Sequence, residues 1–231
     1  HLNMAFKVGE RLAVVGRNGS GKTTFIKLLC RLYGPTEGVI LLNGIDIRKY
    51  RYDEYMDIFS VVFQDFKLLA LPLGQNVAAR QHYDAARVTD CLQKAGFGDR
   101  LAALPKGLET SLYKELDENG VSVSGGEAQK IVIARALYKD APFIILDEPT
   151  AALDPVAEAE IYTKFNEIAG DKTAIYISHR LSSCKFCDEI AVFDHGEVVQ
   201  QGTHDELLAE TEGLYCELWN AQAQYYTKES A

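Results

Sequence analysis

The stretch GRNGSGKT, residues 16–23, constrains the fold of this 231-residue chain more than any other feature. It follows the apolar run RLAVVG (11–16), which predicts a buried strand, and it leads into TTFIKLLCRLYG (23–34), whose apolar residues recur at helical spacing. Its glycines allow backbone N–H groups to turn inward around an anion at the positive end of the helix dipole. The stretch therefore predicts a strand–loop–helix unit that binds phosphate groups.

Strand and helix patterns alternate on both sides of a helical middle region. This alternation predicts an α/β fold with a mostly parallel sheet flanked by helices, and together with the phosphate loop it predicts a P-loop NTPase core. From residue 67 to residue 140 the apolar residues follow a 3.6-residue period, which indicates an inserted α-helical subdomain. We expect a single domain over 1–231, with its core in 1–66 and 141–231 and its insert in 67–140. The further predicted strands are GVILLNG (38–44), FSVVFQ (59–64), PFIILDEPT (142–150), KTAIYISH (172–179) and EIAVFDHG (189–196), with a helix at AEAEIYTKFNEIA (157–169).

The amino-acid composition limits the kinds of partner that the chain is expected to bind. The net charge of −9 and the pI near 5.1 argue against a surface that neutralises nucleic-acid phosphates, so we expect no nucleic-acid partner. No run approaches the roughly 18 apolar residues of a membrane-spanning helix.

The chain has five scattered cysteines, of which Cys184 and Cys187 form a C-x-x-C. Incidental packing is favoured over a metal or redox role for this pair, because no second pair completes four zinc ligands.

Within the phosphate loop, Lys22 is predicted to reach the β- and γ-phosphates of a nucleotide, and the Thr23 hydroxyl to ligate Mg²⁺. The rest of the predicted nucleotide site is Gly16, Arg17, Asn18, Gly19, Ser20, Gly21 and Thr24.

The run FIILDE (143–148) ends in two carboxylates. Asp147 is positioned to orient Mg²⁺, and Glu148 to polarise the water that attacks the γ-phosphate. The alternative is a solvated acidic turn, for which Pro149 and Thr150 are suitable residues. The full phosphate loop upstream favours the catalytic interpretation, because a charged pair at the end of a buried run costs stability without a cationic partner.

Two further polar residues follow predicted strands. Gln64 is a candidate ligand of Mg²⁺ or of the attacking water, and His179 a candidate hydrogen-bond donor to the γ-phosphate. Taken alone, Gln64 is at least as readily an ordinary strand-end glutamine, and a lone histidine such as His179 at a strand end is more often structural. Because ligands of open α/β sheets bind at the carboxyl ends of the strands, these two residues, Gly16 and the Asp147–Glu148 pair predict one site.

A second glycine-rich helix start occurs at VSVSGGEAQK (121–130). Ser124 and Glu127 match a capping box, but capping does not explain Gly125 and Gly126, since a glycine costs about 1 kcal/mol within a helix. Exposed N–H groups at a helix start bind anions, so the stretch predicts a second phosphate-binding surface.

In this order, GRNGSGKT, Gln64, VSGGE, FIILDE, AALD (151–154) and His179 resemble the nucleotide-binding domain of ATP-binding cassette (ABC) proteins. The resemblance covers nearly the whole chain. It implies an ATPase that uses ATP and Mg²⁺, and two domains that meet head to tail with each ATP between the phosphate loop of one and the signature of the other. It implies that Ser124 and Gly126 contact the opposing γ-phosphate, that Glu148 is the catalytic carboxylate, that His179 holds the γ-phosphate and that Asp154 joins the dimer seam.

Finer features resemble the exporter branch of that family: ELDENG (115–120), SHRLSS (178–183) and VVQQGTHDELL (198–208). They imply a transmembrane partner contacted through its coupling helices, at the cytoplasmic face of the cell membrane. Only fifteen residues precede Gly16, so an N-terminally truncated domain is expected. A soluble ATP-gated switch acting on a ribosome or DNA, and an importer ATPase, remain as alternatives.

The signature departs from the commoner LSGGQ at two positions, Val123 and Glu127. The glutamate brings negative charge near a nucleotide phosphate, and the capping box gives a local reason for it. We hypothesise that Glu127→Gln tightens ATP-driven dimerisation modestly.

Overall fold

A computed structural model describes residues 2–148, 170, 172–178 and 180–229. They divide into two compact units. The first contains residues 2–59, 142–148 and the described residues from 172 onwards, and the second contains residues 60–141 together with residue 170. Among the described helices, none combines the length and the apolar character needed to cross a bilayer.

The first unit is built on a sheet whose apolar strands are buried. The central strand β1 has four consecutive residues with no exposed surface, as expected for a parallel strand covered on both faces. The strands are β1 (Arg11–Gly16), β5 (Phe143–Asp147), β6 (Thr173–Ile177), β7 (Glu189–Asp194) and β8 (Glu197–Gly202), in the spatial order β5-β6-β1-β7-β8, and β4 (Phe59–Val62) begins in this unit with Phe59.

The sheet is mostly parallel, as predicted. Strand β1 lies between β6 and β7 and pairs in parallel with both, and β5 pairs in parallel with β6. Strand β8 is antiparallel to β7 and was not predicted, because VVQQG lacks a long apolar run. Strand β4 enters this unit through Phe59, whose ring lies 5.3 Å from that of Phe143.

Helices complete the first unit. On α1, Phe25 and Ile26 are buried, and the Phe25 ring lies 5.5 Å from that of Phe193 on β7. On α2, Tyr55 is buried and its hydroxyl donates to the Leu29 carbonyl. The helices are α1 (Lys22–Leu29), α2 (Tyr52–Asp57), α7 (His204–Ala209) and α8 (Leu214–Glu229), with short 3₁₀ helices at Ile47–Lys49 and Leu181–Cys184.

The predicted strand GVILLNG is only partly a strand. It contains the two-residue β2 (Leu41–Leu42), which pairs antiparallel with β3 (Ile45–Asp46) in a separate small sheet. Asn43 and Gly44 between them have φ of 50° and 77°, the left-handed geometry of a two-residue hairpin turn. The Asn-Gly pair is therefore the signal that ends the strand.

The second unit is helical. Its helices are α3 (Leu73–Ala78), α4 (Ala85–Lys94), α5 (Gly98–Ala102) and α6 (Gly125–Lys139), and α3 and α4 both pack on α6. The apolar residues that set the 3.6-residue period are buried, among them Val88 and Leu92 on α4 and Ile131 on α6. The predicted helix at 157–169 lies outside the described residues.

Candidate nucleotide-binding site

The phosphate loop connects β1 to α1 in the first unit. Gly21 directly precedes Lys22, the first residue of α1, and has φ of 102°, a conformation that favours glycine. A Cβ on Gly16, which ends β1, would lie 2.1 Å from the Phe193 carbonyl oxygen, so no larger residue fits there. The loop is also tied to the turn after β7, because the Gly196 N–H donates to the Ser20 carbonyl.

Lys22 is buried at the start of α1, with 5% of its surface exposed. Its ammonium donates to the carbonyls of Gly16 and Arg17, both at 3.1 Å. Burial lowers the Lys22 pKa, and the charges of Glu148 and Asp147 oppose that shift. The loop thus holds a cation among backbone oxygens, where a phosphate oxygen would be a stronger partner.

Thr23 and Asp147 meet in the same unit. The Thr23 hydroxyl lies 3.3 Å from Asp147 Oδ1 and donates to it. Asp147 is 1% exposed, and its Oδ2 is buried without a hydrogen-bond partner among the described residues. Burial raises the Asp147 pKa, and the Thr23 hydrogen bond opposes the rise. A buried carboxylate oxygen that lacks a partner, beside a hydroxyl, is a donor set that suits Mg²⁺.

Glu148 follows β5 in an unusual backbone conformation. Its φ of 49° is left-handed, which costs about 1 kcal/mol in a residue with a Cβ. The Glu148 N–H donates to the Ile177 carbonyl of β6 at 3.1 Å, so the neighbouring strand holds this conformation. Strained backbone of this kind is common at functional sites.

The candidate site residues are distributed over both units. Gly16 to Thr24, Asp147 and Glu148 come together in the first unit, whereas Gln64 is an exposed residue of the second unit. The predicted residues Asp154 and His179 lie outside the described residues.

The second anion surface, at the start of α6, has the predicted capping box. Ser124 Oγ accepts from the Glu127 N–H at 3.2 Å, and Glu127 Oε2 accepts from the Ser124 N–H at 2.7 Å. The hydrogen bond from the Ser124 backbone is the main cause of a lowered Glu127 pKa, so the carboxylate is charged at neutral pH. Gly125 and Gly126 form the first turn beside it.

Two contacts of this site were not predicted. Arg100 of α5 lies with its Nε 2.8 Å from Glu127 Oε1, and Arg17 of the phosphate loop forms an ion pair at 2.8 Å with Glu217 of α8. No local sequence pattern predicts either pair, because the partners are far apart in sequence and meet only through packing.

Cys184 and Cys187 are both buried, and burial raises the Cys187 pKa.

The chain is similar to proteins of one known family. A sequence profile of the ABC transporter family matches residues 1–151. The ATP-dependent lipid A-core flippase of Burkholderia orbicola is 41% identical over 223 residues, which cover 96% of this chain and 37% of the flippase. The subtilin transport ATP-binding protein SpaT of Bacillus subtilis is 44% identical over 214 residues, which cover 90% of this chain and 34% of that protein.

A solved structure of a bacterial Atm1-family ABC exporter with ATP bound has the same fold. It matches with a TM-score of 0.85 and 38% sequence identity, over 93% of this chain and 37% of that chain. The chain therefore spans little more than one third of the length of the relatives it matches.

Proposed function

Because the chain belongs to the ABC transporter family, whose ATP-binding domains hydrolyse ATP, we propose that it is the ATP-hydrolysing motor domain of a membrane exporter. The observation that carries the proposal is the arrangement of Lys22, Thr23 and Asp147 around the phosphate loop. The flippase and exporter relatives support the exporter branch over an importer or a soluble switch. The domain is proposed to comprise a core, 1–66 and 141–231, and a helical insert, 67–140.

In this proposal the phosphate loop binds ATP through its backbone N–H groups, and Lys22 contacts the β- and γ-phosphates. Thr23, Asp147 and Gln64 would hold Mg²⁺, which when bound neutralises charge on the phosphate oxygens. Glu148 accepts the proton of the attacking water, and His179 donates to the γ-phosphate. The remaining loop residues, Arg17, Asn18, Gly19, Ser20 and Thr24, shape the site.

The signature is proposed to act on the ATP of a second nucleotide-binding domain, identical or different. Ser124, Gly125 and Gly126 offer a hydroxyl and open N–H groups at the start of α6, where the helix dipole favours an anion. In a head-to-tail pair, this surface would contact the ATP that is bound to the phosphate loop of the other domain. Asp154 would lie at the seam of that dimer.

Coupling to a transmembrane domain is proposed to occur through residues 115–120. Leu116 in this acidic segment is 75% exposed and is therefore open to contact. An exposed leucine flanked by acidic residues suits contact with the coupling helices of a membrane domain. The chain would then work at the cytoplasmic face of the cell membrane.

Phosphate release from ATP, measured with Mg²⁺ over a range of protein concentrations, tests the proposal. We expect activity to rise more steeply than in proportion to concentration, because each site needs two chains. Glu148→Gln should lower the rate by at least about a hundredfold, since it removes the general base. Activity proportional to concentration would refute the two-chain site, and full activity in Glu148→Gln would refute the role of Glu148.

A further inference from the structure

The departure of the signature from LSGGQ has a structural counterpart that the sequence did not reveal. The two carboxylate oxygens of Glu127 have different partners: Oε2 accepts a hydrogen bond from the Ser124 N–H, whereas Oε1 forms an ion pair with Arg100, whose Nε lies 2.8 Å away without the alignment of a hydrogen bond. The negative charge at the start of α6 is therefore accompanied by a positive charge from another helix of the same unit.

Packing holds Arg100 in this position. It lies in the last turn of α5, whose first turn follows Phe97, and Phe97 is 1% exposed. The Phe97 N–H donates to the Leu92 carbonyl at 2.8 Å, which ties the start of α5 to the end of α4. The guanidinium is thus presented to α6 by a helix anchored in the core of the unit.

The charges at this helix start oppose one another. The dipole of α6 and its open N–H groups favour an anion, whereas the Glu127 carboxylate one turn into the helix repels one. Arg100 offsets that repulsion at short range. Side-chain exposures of 38% for Arg100 and 27% for Glu127 mean that water screens the pair, so its effect on a nearby phosphate is modest.

We propose that Arg100 is a positioning residue of the signature, which orients the Glu127 carboxylate on the Ser124 N–H and cancels its charge, so that the start of α6 receives the γ-phosphate of an ATP bound to another chain. This inference rests on the proposed head-to-tail dimer. It explains why a glutamate is compatible with a phosphate-binding helix start, because the positive charge of Arg100 balances the negative charge of Glu127.

A purely structural role makes a different prediction. If Arg100 only anchors α5 to α6, removing either partner loosens the helix start, so both single variants weaken dimerisation and the double variant is no better. If the charges act on the phosphate, Arg100→Gln weakens dimerisation, Glu127→Gln strengthens it, and the double variant returns near the starting value. Glutamine retains the capping hydrogen bond, so Glu127→Gln changes charge with little change in the cap.

The experiment is sedimentation equilibrium of the whole chain with Mg-ATP, in a Glu148→Gln background that keeps ATP intact. We expect the dimer dissociation constant to rise about two- to fivefold with Arg100→Gln and to fall about two- to fivefold with Glu127→Gln. Both changes should shrink at 0.5 M salt, because the pair is partly exposed. Arg100→Lys keeps the charge and should restore most of the affinity lost with Arg100→Gln.

Lys94→Gln is the matched control. It removes a cation that is paired at 2.7 Å with Asp90 on α4 of the same unit and should leave dimerisation unchanged. The inference is overturned if both single variants weaken dimerisation, or if Arg100→Gln behaves like Lys94→Gln. If the Glu148→Gln chain binds ATP but never dimerises, the head-to-tail proposal itself is wrong, and the inference falls with it.

Discussion

At the scale of single residues, Gly16 is the least replaceable position of the phosphate loop. Its φ is 144°, and a Cβ would meet the Phe193 carbonyl oxygen at 2.1 Å. We expect Gly16→Ala to lower the free energy of unfolding by about 3 kcal/mol, because backbone atoms of β7 must move. Urea unfolding monitored by circular dichroism measures the loss.

Gly19→Ala is the control for that substitution. Gly19 has φ of 75°, but a Cβ there meets nothing within 4 Å. The alanine should therefore cost only the left-handed conformation, about 1 kcal/mol. Equal losses for Gly16→Ala and Gly19→Ala would show that the contact with Phe193 carries no energy.

Asp147 is a residue whose burial costs stability in the absence of a cation. Its pKa is raised by desolvation, so the folded state holds a proton more tightly than the unfolded state does. The contribution of this group to stability is thus fully present below its unfolded pKa and is lost as the pH rises through the folded pKa. At neutral pH without Mg²⁺, Asp147→Asn should stabilise the protein by about 1 kcal/mol.

Unfolding free energies of wild type and Asp147→Asn, measured from pH 4 to pH 8 in EDTA, check this prediction. The two curves should converge towards acid pH. Asp53→Asn is the control, because the Asp53 pKa is lowered by its hydrogen bond with Arg51 and this exposed group should give no stabilisation. A destabilised Asp147→Asn at pH 8 would contradict the argument.

At the scale of elements, α8 contacts the phosphate loop and the segment that follows β6. Glu217 pairs with Arg17 of the phosphate loop, and Gln222 accepts from the Leu181 N–H, two residues after the predicted γ-phosphate ligand His179. The Glu217 carboxylate offsets a positive charge beside the loop. We therefore expect Glu217→Gln to tighten Mg-ATP binding about twofold at low salt, as measured by isothermal titration calorimetry.

Glu212→Gln serves as the comparison, since it removes an exposed carboxylate just before the same helix. Its effect on Mg-ATP affinity should be smaller than that of Glu217→Gln. The gain from Glu217→Gln should also fade at 0.5 M salt, because both members of its ion pair are exposed. A gain that persists at high salt would point to a change in loop structure instead of charge.

Elements differed in how well the sequence predicted them. Strands β1, β5, β6 and β7 and helix α6 could be predicted to within a few residues, because their apolar runs are buried and polar residues or glycine mark their ends. Strand β8 was missed, since an antiparallel strand at the edge of the sheet needs no apolar run. The hairpin at Asn43 and Gly44 was missed although its turn signal was present.

At the scale of the whole molecule, the sequence motifs identify the candidate site residues, but they do not predict the contacts around those residues. The phosphate loop and the Asp147–Glu148 pair are local patterns whose chemistry follows from spacing. Arg100 and Glu217 could not be predicted, because each acts on a motif through a helix that packs beside it. Local patterns thus identify candidate phosphate-binding groups, whereas tertiary packing decides which charges surround them.

The central place of β1 has a consequence for the order of events during synthesis. The Gly9 N–H, just before β1, donates to a side chain 164 residues later, and both strands that flank β1 follow residue 172. At about 5–20 residues per second, a ribosome needs on the order of ten to thirty seconds to supply them. Throughout that delay the nascent chain carries the complete phosphate-loop sequence without the neighbouring strands that make it rigid. Nucleotide can therefore act as a folding ligand only late, once the C-terminal strands have emerged.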